Sequence, residues 1–294
     1  MTGEAVEPPR PEIGAALGWA QARLQYHSPS AALDAQVLLA ELLDVDRSYL
    51  LAWPERSIAA TQRWRFAARV ARRATGVPVA QLTGWREFWS LRLRVSRATL
   101  TPRPETEMLV EAALESLPAG GSGRVLDLGT GSGALALAIA AERPGTGVDA
   151  VERDPAALAQ AQANGRGLGL ANLRWLPGDW YAPVAGRRYA VVVSNPPYVD
   201  AAEPEFLDPG LAWEPAAALY AEGRPLAALQ RVVAGAAQHL LPGGRLAVEH
   251  GFRQGAAVRE LFRAAGLQRV ESRRDLQGHE RITVGLWLRD ESQG

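Results

Sequence analysis

The chain contains no cysteine and no lysine among its 294 residues. Without cysteine there is no disulfide, no thiolate metal ligand and no cysteine nucleophile. The four histidines are scattered, and no two of them have the spacing of a metal-ligand pair. We therefore predict no metal site. The absence of lysine, with arginine supplying all the positive side-chain charge, is typical of codon bias and indicates no function.

An excess of charge and a long hydrophobic segment are also missing. Acidic and basic side chains each number 32, so the formal net charge is zero, whereas proteins held mainly by nucleic-acid phosphates usually carry a basic excess. No apolar run reaches the length of a membrane span, and the first eleven residues lack the pattern of a signal peptide. We expect a cytoplasmic protein that binds no membrane and no nucleic acid directly.

The first quarter of the chain has a helical pattern. From Ile13 to about Ala74 apolar residues recur at helical spacing, which predicts a small bundle, and Ser30 and Ser57 are placed to cap two of its helices. The bundle contains no catalytic motif, so its expected use is to bind a partner or to cover the next domain. The alternation of Leu91–Val95 then predicts a β-hairpin or extended arm. A basic strand that contacts nucleic acid is the less favoured interpretation.

From Arg124 onwards predicted strands alternate with predicted helices. Seven strands are expected, at 125–128, 148–151, 173–176, 189–193, 245–249, 268–272 and 281–288. The last two follow each other closely, which indicates an antiparallel pair. An alternation of this kind predicts an α/β fold in which helices cover both faces of one sheet.

The most informative motif is Ser-Asn-Pro-Pro-Tyr at residues 194–198, directly after the apolar run Tyr189–Val193. That run predicts a buried strand, and open α/β sheets bind ligands at the carboxyl ends of their strands. Asn195 offers a carbonyl acceptor, the two prolines have no N–H, and Tyr198 adds a flat apolar face. Such a site suits a planar group that bears an NH2. The alternative is an ordinary turn, because Asn-Pro often starts one.

A glycine-rich loop, Asp-Leu-Gly-Thr-Gly-Ser-Gly at 127–133, lies between a predicted strand and a predicted helix. Glycines let the backbone turn tightly and approach a ligand closely. The spacing of Gly129, Gly131 and Gly133 differs from the G-x-G-x-x-G of dinucleotide-binding enzymes. Asp127 would repel a pyrophosphate but attract an amino or hydroxyl group. A tight turn without any ligand is the alternative.

Residues after the next two strands complete the pattern of a nucleoside site. Glu152 ends the second strand, where a carboxylate can accept ribose hydroxyls. Asp154 competes for that role, but it precedes a proline and is typical of a helix N-cap. After the third strand, Asp179 could accept from an adenine amino group, and Trp180 could lie against the adenine ring. Asp179 could equally be a turn residue.

In this order the motifs resemble class I S-adenosylmethionine-dependent methyltransferases that methylate a planar nitrogen, and more narrowly the bacterial release-factor glutamine-N5 methyltransferases. The likeness covers nearly the whole chain. Besides the glycine loop and Asn-Pro-Pro-Tyr it includes the helical N-terminal region, Thr101–Glu107, Gly178–Trp180, Glu249–Gly251, and Asp275 with Arg281. One small departure is Glu152, which stands where aspartate is frequent.

The resemblance implies a seven-stranded, mostly parallel class I methyltransferase sheet with helices on both faces. It would occupy 104–294, after a helical substrate-docking domain at 1–84 and a β-hairpin linker at 85–103. The implied cofactor-binding residues are Gly129, Thr130, Gly131, Ser132, Gly133, Glu152, Trp180 and Asn195. The glutamine would be held by Asn195, Pro196, Pro197 and Tyr198, and catalysis would involve Asn195, Pro196 and Tyr198. Arg103, Glu105 and Glu249 lie in matching segments without an assigned role.

The resemblance also implies the reaction: methyl transfer from S-adenosyl-L-methionine to N5 of the glutamine in the Gly-Gly-Gln motif of peptide-chain release factors. A glutamine methyltransferase for a ribosomal protein shares the motifs and stays open. Enzymes that methylate amino groups of DNA or RNA bases share the tetrapeptide, but the neutral charge disfavours them. The glycine spacing and Asn195–Tyr198 disfavour a nicotinamide-dependent oxidoreductase, and a non-catalytic binding module would leave both motifs unused.

Overall fold

The computed structural model describes residues 8–118, 123–199, 209–220, 224 and 226–288. The chain divides into two units, one of Met1–Trp85 with Asp208–Trp213 and the other of Arg86–Leu207 with Glu214–Gly294. Among the described helices, none combines the length and the apolar character that crossing a membrane requires.

The described part of the first unit is helical, as predicted. Its α-helices are α1 (Ile13–Leu24), α2 (Ala31–Leu43), α3 (Arg47–Ala52), α4 (Ala60–Ala74) and α5 (Val79–Thr83). Apolar side chains from all five helices pack into one core, in which Leu24, Leu38 and Phe66 are fully buried.

Of the two serine caps predicted in this unit, Ser30 occupies the N-cap position without the capping hydrogen bond, and the prediction for Ser57 is wrong. Ser30 does precede α2, but its hydroxyl donates to the Asp34 carboxylate instead of accepting a backbone N–H, because a charged acceptor is the stronger partner. Ser57 forms a β-bridge with Glu12, and α4 starts only after Ala59. Helical spacing therefore located both helices, while the start of α4 depended on the contact of Ser57 with Glu12, which the local pattern does not contain.

The predicted hairpin is confirmed. Strands β1 (Trp85–Phe88) and β2 (Leu91–Arg94) form a two-stranded sheet. The two residues between them, Trp89 and Ser90, have φ of 51° and 58°. Positive φ at both central positions gives the turn the twist that a two-residue hairpin needs.

The second unit contains the seven-stranded sheet that the sequence predicts. Its strands are β3 (Arg124–Leu128), β4 (Gly147–Glu152), β5 (Leu173–Pro177), β6 (Tyr189–Ser194), β7 (Leu240–Glu249), β8 (Gln268–Arg274) and β9 (Glu280–Trp287). They lie in the order β5-β4-β3-β6-β7-β9-β8. The first five are parallel, and β9 runs antiparallel to both β7 and β8. Strand β7 begins five residues before the predicted start, because Leu240 already pairs with Tyr189 across a register shift.

Helices cover both faces of this sheet. The α-helices described in the second unit are α6 (Glu107–Leu114), α7 (Ala134–Glu142), α8 (Pro155–Leu168), α9 (Ala216–Leu219), α10 (Ala227–His239) and α11 (Gly255–Ala264). Neighbouring residues of β3 point to opposite cores: Val125 packs with α6 and α7, and Leu126 packs with α10 and α11. This alternation with period two places one apolar layer on each side of the sheet.

Candidate functional site

A cavity of about 310 Å³ lies within the second unit, at the carboxyl ends of β3, β4, β5 and β6. The chain continues from β3 to β4 on one side of β3, while β6 lies on the other side. Open α/β sheets bind ligands at such a reversal of strand order. The residues predicted to bind a cofactor line this cavity, except for Gly133: Gly129–Ser132, Glu152, Trp180 and Asn195.

The loop after β3 is shaped by its three glycines. Gly129, Gly131 and Gly133 have φ of +71°, +56° and +85°, a region in which side chains are strained. A Cβ at Gly133 would also lie 3.1 Å from Ala161 Cβ. Gly133 therefore sits behind the loop, where it lets α7 start close to α8, and its part in cofactor binding stays a prediction.

Asp127 supports this loop from inside the protein. Its side chain is completely buried, and one carboxylate oxygen accepts the Thr130 hydroxyl. Burial raises the pKa of Asp127 to about 7. Asp127 is not among the residues that line the cavity. The hydroxyl that it attracts is that of Thr130, so it holds the loop instead of reaching a ligand.

Glu152, at the end of β4, closes the loop on the other side. One carboxylate oxygen accepts the Gly131 N–H at 2.9 Å, and the other accepts the Asp154 N–H at 2.9 Å. A carboxylate has about four acceptor positions, so capacity for ligand hydroxyls remains. Asp154 caps α8 as predicted, because its Oδ1 accepts the N–H groups of Ala156 and Ala157.

Trp180 forms part of the cavity wall after β5. Trp180 has φ of 46°, and Gly178, two residues earlier, has φ of 152°. A Cβ at Gly178 would lie 2.3 Å from Pro183 Cγ, so only glycine permits this turn. Asp179 lies 3.5 Å from the Arg231 guanidinium. Its expected contact with an adenine amino group stays a prediction.

The Asn-Pro-Pro-Tyr turn is held from outside by side-chain hydrogen bonds. Asn195 Nδ2 donates to Thr106 Oγ1 at 3.2 Å. The Thr106 hydroxyl donates to Glu249 Oε2 at 2.6 Å, and the Tyr198 hydroxyl donates to Glu249 Oε1 at 2.9 Å. Gln254 Nε2 donates to the Tyr198 carbonyl at 2.9 Å. The turn is therefore connected to three other parts of the second unit.

Glu249 is the centre of this network. It is 1% exposed at the end of β7, and burial raises the pKa of its carboxyl group. Burial also raises the pKa of the Tyr198 phenol, and the nearby Glu249 carboxylate adds to the shift. Pro197 lines the cavity, whereas Pro196 and Tyr198 are not among its lining residues. Their expected contacts with an acceptor stay predictions.

The sequence did not single out Thr106 or Glu214. Thr106 lies between Glu105 and Glu107 in the quoted Thr101–Glu107 segment, and nothing local distinguishes its hydroxyl from that of a surface threonine. Glu214 accepts the Arg103 guanidinium at 3.1 Å and the Thr101 N–H at 3.3 Å. Its carboxylate thereby anchors the segment that leads to the cavity residues Pro215 and Tyr220. Only the fold brings these groups together.

Comparisons with known proteins agree with this geometry. The family model "PrmC N-terminal domain" matches residues 15–84, and "Methyltransferase small domain" matches residues 105–208. The release factor glutamine methyltransferase of Pseudomonas aeruginosa is 47% identical over 260 residues, which cover 88% of this chain and 94% of that protein. The Burkholderia pseudomallei protein of the same name is 48% identical over 270 residues, which cover 90% and 95%.

One solved structure with a similar fold is the 16S rRNA N2 G1207 methyltransferase of T. thermophilus, in complex with AdoMet and guanosine. Its TM-score is 0.50 at 20% identity, over 70% of this chain and 50% of that one. At this identity the likeness concerns the fold alone, and it agrees with the predicted class I methyltransferase sheet.

Proposed function

The chain belongs to the family of release factor glutamine methyltransferases, and from this premise we propose that it methylates N5 of the glutamine in the Gly-Gly-Gln motif of peptide-chain release factors. The methyl donor is S-adenosyl-L-methionine. The observation that supports this best is the direction of the Asn195 amide. Its NH2 is used by Thr106, which leaves its oxygen as an acceptor beside the cavity.

The residues around the cavity fit the donor. Gly129 and Gly131 present backbone without side chains, Glu152 has acceptor capacity for ribose hydroxyls, and the Trp180 indole offers a face for the adenine ring. The volume of about 310 Å³ is at the lower end of the range for small-molecule sites. When bound, the donor supplies a methyl group on a positively charged sulfur.

Asn195 and Pro196 hold the acceptor nitrogen in this proposal. Asn195 Oδ1 and the Pro196 carbonyl each accept one N–H of the glutamine amide, which aims the nitrogen lone pair into the cavity. That lone pair is delocalised into the amide carbonyl, so the ground-state nitrogen is a poor nucleophile. As the nitrogen takes the methyl carbon, the bond from that carbon to the sulfur breaks, the nitrogen becomes positive, and both hydrogen bonds strengthen. Asn195 and Pro196 thus stabilise the transition state more than the ground state. The nitrogen loses one of its two protons after the transfer.

Tyr198 and Pro197 complete the proposed acceptor site. Proline has no N–H, so it offers no donor that would compete with the glutamine for the two oxygen acceptors. Tyr198 is held through its side-chain hydroxyl and its backbone carbonyl. We propose that its ring lies along the plane of the glutamine amide. The helical region 1–84 would dock the release factor.

The direct test is mass spectrometry of release factors and ribosomal proteins after incubation with the protein and the donor. We expect one added methyl group on the glutamine of the Gly-Gly-Gln loop. Modification of a ribosomal protein alone would assign the chain a different substrate. A heat-protection assay separates the cofactor classes: S-adenosylmethionine should raise the unfolding temperature, and a nicotinamide dinucleotide should not.

A further inference from the structure

Three side chains far apart in sequence form one hydrogen-bonded row that leads from the wall of the cavity into the protein interior. Asn195 follows β6, Thr106 ends the 3₁₀ turn Pro104–Thr106 ahead of α6, and Glu249 ends β7. The row runs from Asn195 Nδ2 to Thr106 Oγ1 and from Thr106 to Glu249 Oε2, at 3.2 and 2.6 Å. Thr106 is 4% exposed and Glu249 is 1% exposed, so water competes little for these bonds.

While Glu249 is ionised, the chemistry of the row allows only one direction. An ionised carboxylate accepts hydrogen bonds and donates none, so the single proton of the Thr106 hydroxyl goes to Glu249. The hydroxyl then has only lone pairs left for Asn195. A flipped amide would place Asn195 Oδ1 against those lone pairs with no proton between them. The direction of the Asn195 amide thus follows from the donors and acceptors that the three side chains carry.

We propose that Thr106 and Glu249 are positioning residues that orient the Asn195 amide so that its oxygen faces the acceptor nitrogen. This inference deepens the proposed function and rests on it for the identity of the acceptor. With the amide reversed, an NH2 group would meet the NH2 of the substrate, and one of the two acceptors would be lost. Thr106 and Glu249 act through Asn195 and contact no reacting atom.

The kinetic test is Thr106→Val, which keeps the shape of the side chain and removes the hydroxyl. We expect kcat with a release factor as substrate to fall about 10-fold to 100-fold, because a misdirected reactive group has an effect of this size. The KM for the donor should stay within about 2-fold, since the glycine loop, Glu152 and Trp180, which are proposed to hold the donor, are unchanged in this variant. Thr106→Ser restores the hydroxyl and should recover most of the lost turnover.

Thr146→Val is the matched control. Thr146 is completely buried, and its hydroxyl has no hydrogen-bond partner among the described residues. The same chemical change is therefore made in a core position away from the cavity, and kcat should be unchanged. If Thr106→Val kept full turnover, or if Thr106→Ser were as impaired as Thr106→Val, the positioning role would be wrong. A parallel loss of donor affinity would also contradict it, because that would indicate a collapsed cleft.

A second measurement needs no acceptor. In ¹⁵N-labelled protein with donor bound, the side-chain NH2 signals of Asn195 are identified by their absence in Asn195→Asp. We expect the proton held by Thr106 to exchange slowly with water, and to exchange about 10-fold or more faster in Thr106→Val. Equal exchange in both proteins would overturn the inference. A failure of the wild-type protein to methylate release factors would instead contradict the proposed function. The exchange measurement would still decide whether Thr106 orients the Asn195 amide.

Discussion

The two halves of the cavity are built in different ways. In the half formed by the glycine loop and Glu152, most donors are backbone N–H groups: Gly129 and Thr130 donate to the Val151 carbonyl, and Gly131 donates to the Glu152 carboxylate. In the half around Asn195, the bonds join side chains that are 51 to 143 residues apart. We expect the first half to tolerate side-chain changes better, because its shape belongs to the main chain.

Replacing Asn195 should give the largest loss of turnover and should show most clearly whether the two halves of the cavity act independently. Asn195→Ala deletes one of the two proposed acceptors for the glutamine NH2, and we expect turnover to fall about 10³-fold or more, as when an enzyme loses a group that stabilises developing charge. Donor affinity should survive. Single-turnover methylation and calorimetric titration of the donor check the two expectations. Equal losses of turnover and donor affinity would mean that the two halves of the cavity do not act independently.

Changing Glu249 tests how far the acceptor half depends on its buried support. Glu249→Gln keeps the size of the side chain but introduces an NH2 donor, so the Thr106 hydroxyl is no longer forced to donate. We expect a fall in kcat of about 10-fold to 100-fold, again with little change in donor affinity. An unaffected kcat would place Glu249 in a purely packing role.

The dependence of kcat on pH at acid pH gives a second test of the role of Glu249. Burial, and after it Glu105, raises the pKa of Glu249, while the Thr106 and Tyr198 hydroxyls and Arg281 oppose the shift. As pH falls through that raised pKa, the carboxyl group gains a proton and becomes a donor, so kcat should fall on the acid side. In Glu249→Gln this limb should be absent from kcat measured with saturating donor.

Glu152→Ala should weaken donor binding alone, and its effect should be smaller than the losses of turnover expected for the Asn195 and Glu249 variants. The carboxylate loses its proposed ribose contacts and its bond to Gly131, and we expect donor affinity to fall about 10-fold, or about 1.4 kcal/mol. Turnover at saturating donor should change little. Glu260→Ala, which removes an exposed carboxylate on α11, is the matched control. Unchanged donor affinity in Glu152→Ala would remove this residue from the ribose role.

Asp127 provides the smallest effect on turnover but a clear effect on stability. Burial raises the pKa of Asp127 from its ordinary value of 3.8 to about 7 in the folded protein. A group whose pKa is raised by folding stabilises the protein fully below the unfolded pKa, and this contribution is lost as pH rises through the folded pKa. The free energy of unfolding should therefore fall by about 2 to 3 kcal/mol between pH 5 and pH 8 through this group.

Asp127→Asn should flatten that dependence, as measured by urea unfolding at the two pH values. The substitution removes the titrating group and keeps an oxygen that can accept the Thr130 hydroxyl. If the free energy of unfolding changed equally with pH in the wild-type protein and in Asp127→Asn, Asp127 would not be the group responsible for this pH dependence.

Local features were predictable where the responsible contacts are short-range. Asp154 next to Pro155 predicted a helix cap correctly, and the alternation of Leu91–Val95 predicted the hairpin. Ser30 looked equally suited to capping, yet its hydroxyl pairs with Asp34. A carboxylate four residues away is a competitor that a propensity for the cap position does not count.

The sequence by itself determined the alternation of strands and helices, the glycine loop at the end of β3 and the family to which the chain belongs. These follow from periodicity, from backbone freedom and from motifs a few residues long. Only the tertiary structure decided how the Asn195 amide is oriented, because that orientation depends on Thr106 and Glu249. Parallel strands place the ends of distant segments side by side, and the hydrogen bonds that join Asn195, Thr106 and Glu249 exist only once those segments have packed.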